Sequence, residues 1–256
     1  MCADDFGLGT SACLSILQLA DAGAITATSC AVDGDVATVH AAELRRLRPR
    51  VCVGLHLNLT ENPLYAGSRP LPRWLMATYA RGALDRPSLL QEIRRQLQRF
   101  EELFGAAPDH VDGHEHVHQL PVIRELLVAE MQQRYGARVA LRSTLTHSAR
   151  GAKAGLIQLL GAAQLARLAA GAGLHCNSDF AGVYNLSGDS PYAPRMETWL
   201  RSIEDGGLIM CHPELPSVNV ARPGARAREH RFLSSPAWPQ LLQRCAVSLT
   251  PFRGPG

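Results

Sequence analysis

The stretch HVDGHEHVHQLPV, residues 110–122, opens as an apolar strand. It then crowds Asp112, His114, Glu115, His116 and His118 together and reaches a proline where a helix can begin. A buried strand that runs out into polar chemistry and then turns into a helix is the unit of a parallel α/β fold. The same order recurs at ADDFG (3–7), at GLHLNL (54–59) and at MCHP (210–213). Working outward, short strands are expected at 26–32, 50–55, 110–113, 137–142, 172–177, 207–212 and 246–250. They are apolar rather than alternating, as strands covered on both faces are. Helices are expected at 9–22, 36–48, 88–104, 120–134, 151–170, 194–205 and 236–244. In the third, Leu89, Leu90, Ile93, Leu97, Phe100 and Phe104 recur at helical spacing. Ser88 with Gln91 fits a capping box there, and Gly105 fits the stop.

Even alternation over the whole chain predicts an α/β fold, a distorted (β/α) barrel of about seven strands forming one domain over residues 1–256. Neither GxGxxG nor GxxxxGK[ST] occurs, so open-sheet nucleotide folds gain nothing. Only Met1 and Cys2 precede ADDFG, which makes the first strand very short.

A net charge of +3 is too small to argue for nucleic acid, and RRLRPR (45–50) reads as the solvated basic end of a helix. Seven cysteines without a CxxC pair read as small buried hydrophobes of a reducing compartment. With no leader pattern and no apolar run near 18 residues, the expectation is a cytoplasmic protein without a membrane span.

In a closed parallel sheet, polar clusters at strand C-termini converge on one face. One aspartate and two histidines from three strands make a sensible divalent metal set with an open position. Imidazoles tilt the choice toward zinc, and harder magnesium prefers oxygen. Within the histidine run His114, nearest the strand end, is the expected ligand, with His116 and His118 packing around or orienting it. Each residue alone has a plainer reading: His56 as a satisfied core histidine, Asp4 and Asp5 as a helix N-cap, His212 as a packing residue before proline. Their joint placement at strand ends is what argues for a site. No GxSxG elbow is present, and Cys211 and His212, adjacent on a strand, point to opposite faces.

Two long segments, 60–84 and 178–195, follow polar strand ends and are rich in Pro, Gly and aromatics. They read as plain surface loops or as the walls of a sugar site, with Trp74, Tyr79, Phe180, Tyr184 and Tyr192 stacking on sugar faces. Exposed loop aromatics also leave a homodimer open.

The segments ADDFGLG, GLHLNLT, VDGHEHVHQLPV and MCHPE, in this order from Ala3 to about residue 214, resemble the signatures of the YdjC-like deacetylases, the group of the chitooligosaccharide and hopanoid-biosynthesis deacetylases. The resemblance implies a barrel related to the NodB-type polysaccharide deacetylases and metal-dependent removal of an N-acetyl group from a sugar. It implies Asp5, His56 and His114 as ligands of a divalent ion, zinc or magnesium. It implies Asp4 as general base, His212 as the acid, and Arg142 as a neighbour that orients or tunes Asp4. The implied partner is an N-acetylated amino sugar, oligosaccharide or glycoconjugate. The apolar strand that normally precedes DDFG in that family is missing here.

Overall fold

The structure, a computed structural model, describes residues 1–79, 84–186, 191–216 and 224–255. Seven strands form one parallel sheet: β1 (Cys2–Phe6), β2 (Ala27–Cys30), β3 (Cys52–Leu57), β4 (His110–Gly113), β5 (Ala140–Leu141), β6 (Phe180–Ala181) and β7 (Leu208–Cys211). Their spatial order is β5-β4-β3-β2-β1-β7-β6. The run leading into β6 joins the two edges. Cys176 bridges Leu141 of β5, and four residues later Phe180 pairs with Leu208 of β7. The sheet therefore curls into a distorted barrel. Every residue of β1 and β3 is buried, which explains the apolar run that leads up to His56 in β3.

The helices α1 (Thr10–Asp21), α2 (Asp35–Leu47), α3 (Leu71–Tyr79), α4 (Arg86–Phe104), α5 (Ile123–Tyr135), α6 (Ala152–Leu159), α7 (Ala162–Gly171), α8 (Tyr192–Ser202), α9 (Ala225–Leu233) and α10 (Ala237–Arg244) surround the sheet. Helix α4 shows why the periodic stretches were legible. Leu89, Ile93, Leu97, Phe100 and Phe104 are buried on one face. Its cap differs from the expected box. The Asp85 carboxylate accepts from the Ser88 N–H at 3.1 Å, so Ser88 lies inside the first turn. Gly105 ends the helix in the left-handed region at φ 68°.

Other departures have local causes. The expected helix at 151–170 is two helices, broken at Gly161 (φ 123°), where a Cβ would stand 2.4 Å from the Gln119 carbonyl oxygen. The 172–177 strand reduces to the Cys176 bridge. The 246–250 segment forms no strand, because β7 already has β1 and β6 on its two sides. Helices α3 and α9 and strand β6 were not anticipated. Of the two long segments, residues 80–83 and 187–190 lie outside the described residues.

Candidate active site

Strand β1 carries Asp4 and Asp5, and in regular strand geometry neighbours point to opposite faces. Asp5 instead adopts φ 69°, and the pairing with β2 shifts register between Ala3 and Phe6. Left-handed backbone at a non-glycine residue costs about 1 kcal/mol. Here it breaks the alternation, so both carboxylates serve one centre. A second local break follows β4. Glu115 and His116 are left-handed (φ 52° and 60°), so the chain turns sharply just past His114.

Asp5, His56 and His114 converge. The Asp5 Oδ1 lies 3.4 Å from His56 Nε2 and 3.2 Å from His114 Nδ1, and the two ring nitrogens are 3.3 Å apart. Ligands about 2.0–2.1 Å from a tetrahedral ion stand roughly 3.3–3.4 Å from one another. The buried Asp5 Oδ1 makes no well-formed hydrogen bond. Burial alone would raise the Asp5 pKa, but the two imidazoles hold it well below the usual carboxylate range. His56 is oriented from behind: its Nδ1 bonds Asp112 Oδ1 at 2.5 Å, leaving Nε2 to face the centre. Burial would lower the His56 pKa, and the charge and hydrogen bond of Asp112 overcome it, pushing it up to about 10. The three donors thus fit a divalent cation in atom type, spacing and orientation.

Arg142, fully buried just past β5, ties this set to Asp4. Its Nη1 and Nη2 donate to Asp4 at 2.6 and 2.7 Å, and Nη2 also lies 2.6 Å from Asp112 Oδ2. The Ser29 hydroxyl donates to the same Asp112 oxygen. Burial raises the Asp112 pKa, but Arg142 and His56 hold it far below the carboxylate range. His212, just past β7, presents Nε2 4.0 Å from Asp4 Oδ2. Burial pulls its pKa down, against the nearby charges of Asp5 and Asp4. All six expected site residues therefore meet in one place.

The other two histidines of the run divide. His118 donates from Nε2 to the Arg142 carbonyl at 3.0 Å, so it props the arginine segment rather than His114. His116 lines the cleft, and burial holds its pKa well below the usual value. Cys211 is buried and its thiol points to the Cys2 carbonyl, away from the cleft.

Three contributors were not anticipated. Asp112 sat in the decisive stretch, and its two-residue spacing from His114 was a usable signal. Arg226 of α9 donates to Asp5 Oδ2 at 2.8 Å and pairs with Glu214 at 3.0 Å. Glu229 of α9 is fully buried and accepts from the Tyr184 hydroxyl and the His212 backbone N–H. Burial lifts its pKa to about 7. Nothing in ARAREHRFL separates those two residues from a solvated helix face.

A second cluster, Cys2, His110 and Asp112, lies deeper. The Arg142 guanidinium already occupies it, 3.0 Å from the Cys2 sulfur. Burial pushes the Cys2 thiol up to about 12 and His110 down to about 4, so both are neutral beside that fixed cation.

The cation set opens into a cleft of about 650 Å³. Of the aromatics expected to stack on sugars, only Tyr184 lines it. Trp74 is fully buried with its indole N–H on the Leu59 carbonyl, Phe180 and Tyr192 are interior, and Tyr79 is bonded to the Leu160 carbonyl. No single helix among the described residues is long and apolar enough to cross a membrane, although α6 and α7 together reach that composition across a 47° bend.

The sequence model of the YdjC-like proteins matches residues 1–244, and the chain belongs to that family. A chitooligosaccharide deacetylase of Escherichia fergusonii is 39% identical over 127 residues, 47% of this chain and 50% of that protein. A human carbohydrate deacetylase is 39% identical over 149 residues, 53% of this chain and 45% of that protein. The chain spans about half the length of such curated relatives. An Enterococcus faecalis crystal structure described as a cellobiose-phosphate cleavage protein matches with a TM-score of 0.70 at 18% identity, covering 98% of this chain and 95% of that one. That likeness shows the barrel fold. A family 4 carbohydrate esterase of Streptomyces lividans aligns over 100% of this chain and 95% of that one at 13% identity, with a TM-score of 0.46, too remote to bear on the site.

Proposed function

We propose that this YdjC-like protein is a metal-dependent carbohydrate N-deacetylase that releases acetate from an N-acetylated amino sugar. The observation that carries the reading is the meeting of Asp5, His56 and His114 with a separate carboxylate, Asp4, held at both oxygens by Arg142. The deacetylase relatives support the reaction class, although each aligned region is only part of the chain.

A divalent cation at the three donors, zinc or magnesium, supplies Lewis acidity toward an amide carbonyl and lowers the pKa of water. The protein's residues do the rest. Asp4, fixed by Arg142, takes the proton of the attacking water. An amine leaves poorly unless protonated, so an acid is required. His212 fills that role. Burial keeps its ring neutral at rest, so the proton that Asp4 collects passes to the His212 Nε2, 4.0 Å away, and from there to the leaving amine. Glu229 holds the His212 backbone in place. Arg226 occupies the second oxygen of Asp5, which leaves Oδ1 for the cation.

We place the protein in the cytoplasm, a reading supported by seven free cysteines. The test is acetate release from N-acetylglucosaminyl substrates by the purified protein, together with metal analysis. Turnover that is lost on chelation and restored by a divalent ion, with one ion lost in Asp5→Ala or His114→Ala, is expected. Turnover indifferent to chelators overturns the reading, and sugar binding without metal or turnover makes the protein a binder.

A further inference from the structure

We infer that Glu61 is the outer partner of His114, as Asp112 is of His56, and that a buried polar cluster behind residues 58–62 serves to hold it there. The inference rests on the metal centre of the deacetylase reading and adds a positioning residue to it. A ligand histidine usually gives its second ring N–H to a carboxylate, carbonyl or water, which fixes the ring and makes it a better donor to the ion. His56 has that arrangement through Asp112. His114 turns Nδ1 toward Asp5 and His56, so Nε2 is its outward nitrogen. Glu61 Oε2 stands 3.6 Å from it, and no other polar group among the described residues pairs with that nitrogen. A ring that binds a cation through Nδ1 carries a more polar Nε2–H, which draws the carboxylate in to the roughly 2.8 Å of a charge-assisted bond.

The Glu61 side chain is 67% exposed, but its backbone is not free. Just past β3, Asn58 Oδ1 accepts from the Thr60 N–H at 3.2 Å and from the Glu61 N–H at 2.9 Å. Gln96 of α4 grips Asn58 in turn, accepting from its N–H at 3.0 Å and donating to its carbonyl at 2.7 Å. On the far side of Glu61, Asn62 donates to Asp33 and Glu92, and Arg95 closes the cluster by pairing with both acids. Asn58, Asn62, Glu92 and Gln96 are all buried. Polar groups are costly to bury, and none of these bonds a metal donor or Asp4. What they hold in common is the 58–62 loop, and of its residues only Glu61 lines the cleft.

The test is calorimetric titration of the metal-free proteins with zinc, with thermal unfolding alongside. Partners of ligand histidines are worth about 10–100-fold in affinity, and an exposed one belongs at the low end. Glu61→Ala is therefore expected to bind zinc about tenfold more weakly, with the metal-free Tm unchanged. Glu61→Gln keeps an acceptor without its charge and should lose about threefold. Salt screens an exposed pair, so the parent-to-Gln affinity ratio should shrink toward one at about 1 M ionic strength, whereas the ratio for the buried Asp112→Asn should persist. Asn58→Ala should reproduce the loss seen in Glu61→Ala, and the double variant should lose no more than either alone. Unchanged zinc affinity in Glu61→Ala overturns the inference. A raised KM at unchanged affinity does so too, by making Glu61 a substrate contact, and additive losses in the double variant overturn the role of the cluster. Zinc binding reads the inference without turnover. Weaker zinc in Glu61→Ala from a protein that releases no acetate upholds Glu61 and overturns the deacetylase, acetate release with unchanged affinity in that variant does the reverse, and a parent that binds no divalent ion overturns both.

Discussion

Replacing Asp112 tests the reasoning most directly, because this residue does not itself line the cleft and acts only through its neighbours. Its carboxylate is wholly buried and accepts from His56 Nδ1, Arg142 Nη2 and the Ser29 hydroxyl. In Asp112→Asn the amide oxygen can still accept from His56 Nδ1, so the ring keeps its tautomer but loses the basicity lent by a charged partner. In Asp112→Ala the tautomer is also released. Partners of metal-bound histidines are worth about 10–100-fold in affinity, so we expect about tenfold for Asn and about 100-fold for Ala. Stability should fall as well. Arg142, itself fully buried, retains only Asp4 as an anionic partner, and breaking a buried ion pair from one side costs about 3–5 kcal/mol. At about 2–4 °C per kcal/mol for a chain of this size, the Tm should drop by about 10 °C. The assays are calorimetric titration with zinc and thermal unfolding of the metal-free proteins. Unchanged zinc affinity in Asp112→Ala, in a protein that remains folded, would refute the orientation of His56 as the reason Asp112 is there.

Three further outcomes follow from the same geometry. Asp4→Asn leaves the three metal donors intact, so metal content should persist while acetate turnover falls by about 10²–10⁴-fold; an undiminished rate removes Asp4 as the base. Glu229 titrates near 7 in the fold against an ordinary value of 4.5, because burial favours its neutral form. The folded state then holds a proton that the unfolded chain has released, so the contribution is full below pH 4.5 and is lost as pH rises through 7, by about 3 kcal/mol. Denaturant unfolding from pH 5 to 8 should show this decline in the parent and a flatter profile in Glu229→Gln; parallel profiles would dismiss Glu229 as its source. Finally, the Cys2, His110 and Asp112 cluster is filled by Arg142, so zinc should bind at one ion per chain, with the same stoichiometry in Cys2→Ser; a second tight equivalent lost in that variant contradicts this.

The parts of the fold that could be read in advance are those where one-dimensional pattern and burial coincide. Helix α4 and strand β3 carry continuous periodic or apolar signals, and they lie where those signals place them. The errors fall where a tertiary contact overrides a local preference. Gly161 breaks a long apolar helix because the Gln119 carbonyl presses against it. The 246–250 segment has strand composition, but the run 176–181 already bridges β5 to β7. Aromatic residues in long polar segments suggested a stacking surface, yet composition does not say which way a ring points. Trp74 turned inward to the Leu59 carbonyl.

The sequence alone was enough to determine that buried strands end in Asp, His and His, and that a parallel α/β sheet brings such ends to one side. That much is set by periodicity and by the cost of burying polar groups without a purpose. Only the folded chain decided how they meet. The left-handed turn at Asp5 sends two adjacent carboxylates to one centre, Arg142 arrives from a strand two positions further along the sheet than the one carrying His56, and α9 brings Arg226 and Glu229 from the far end of the chain. These are contacts between residues up to 221 positions apart (226 − 5), and a short-range pattern holds no record of a partner that distant.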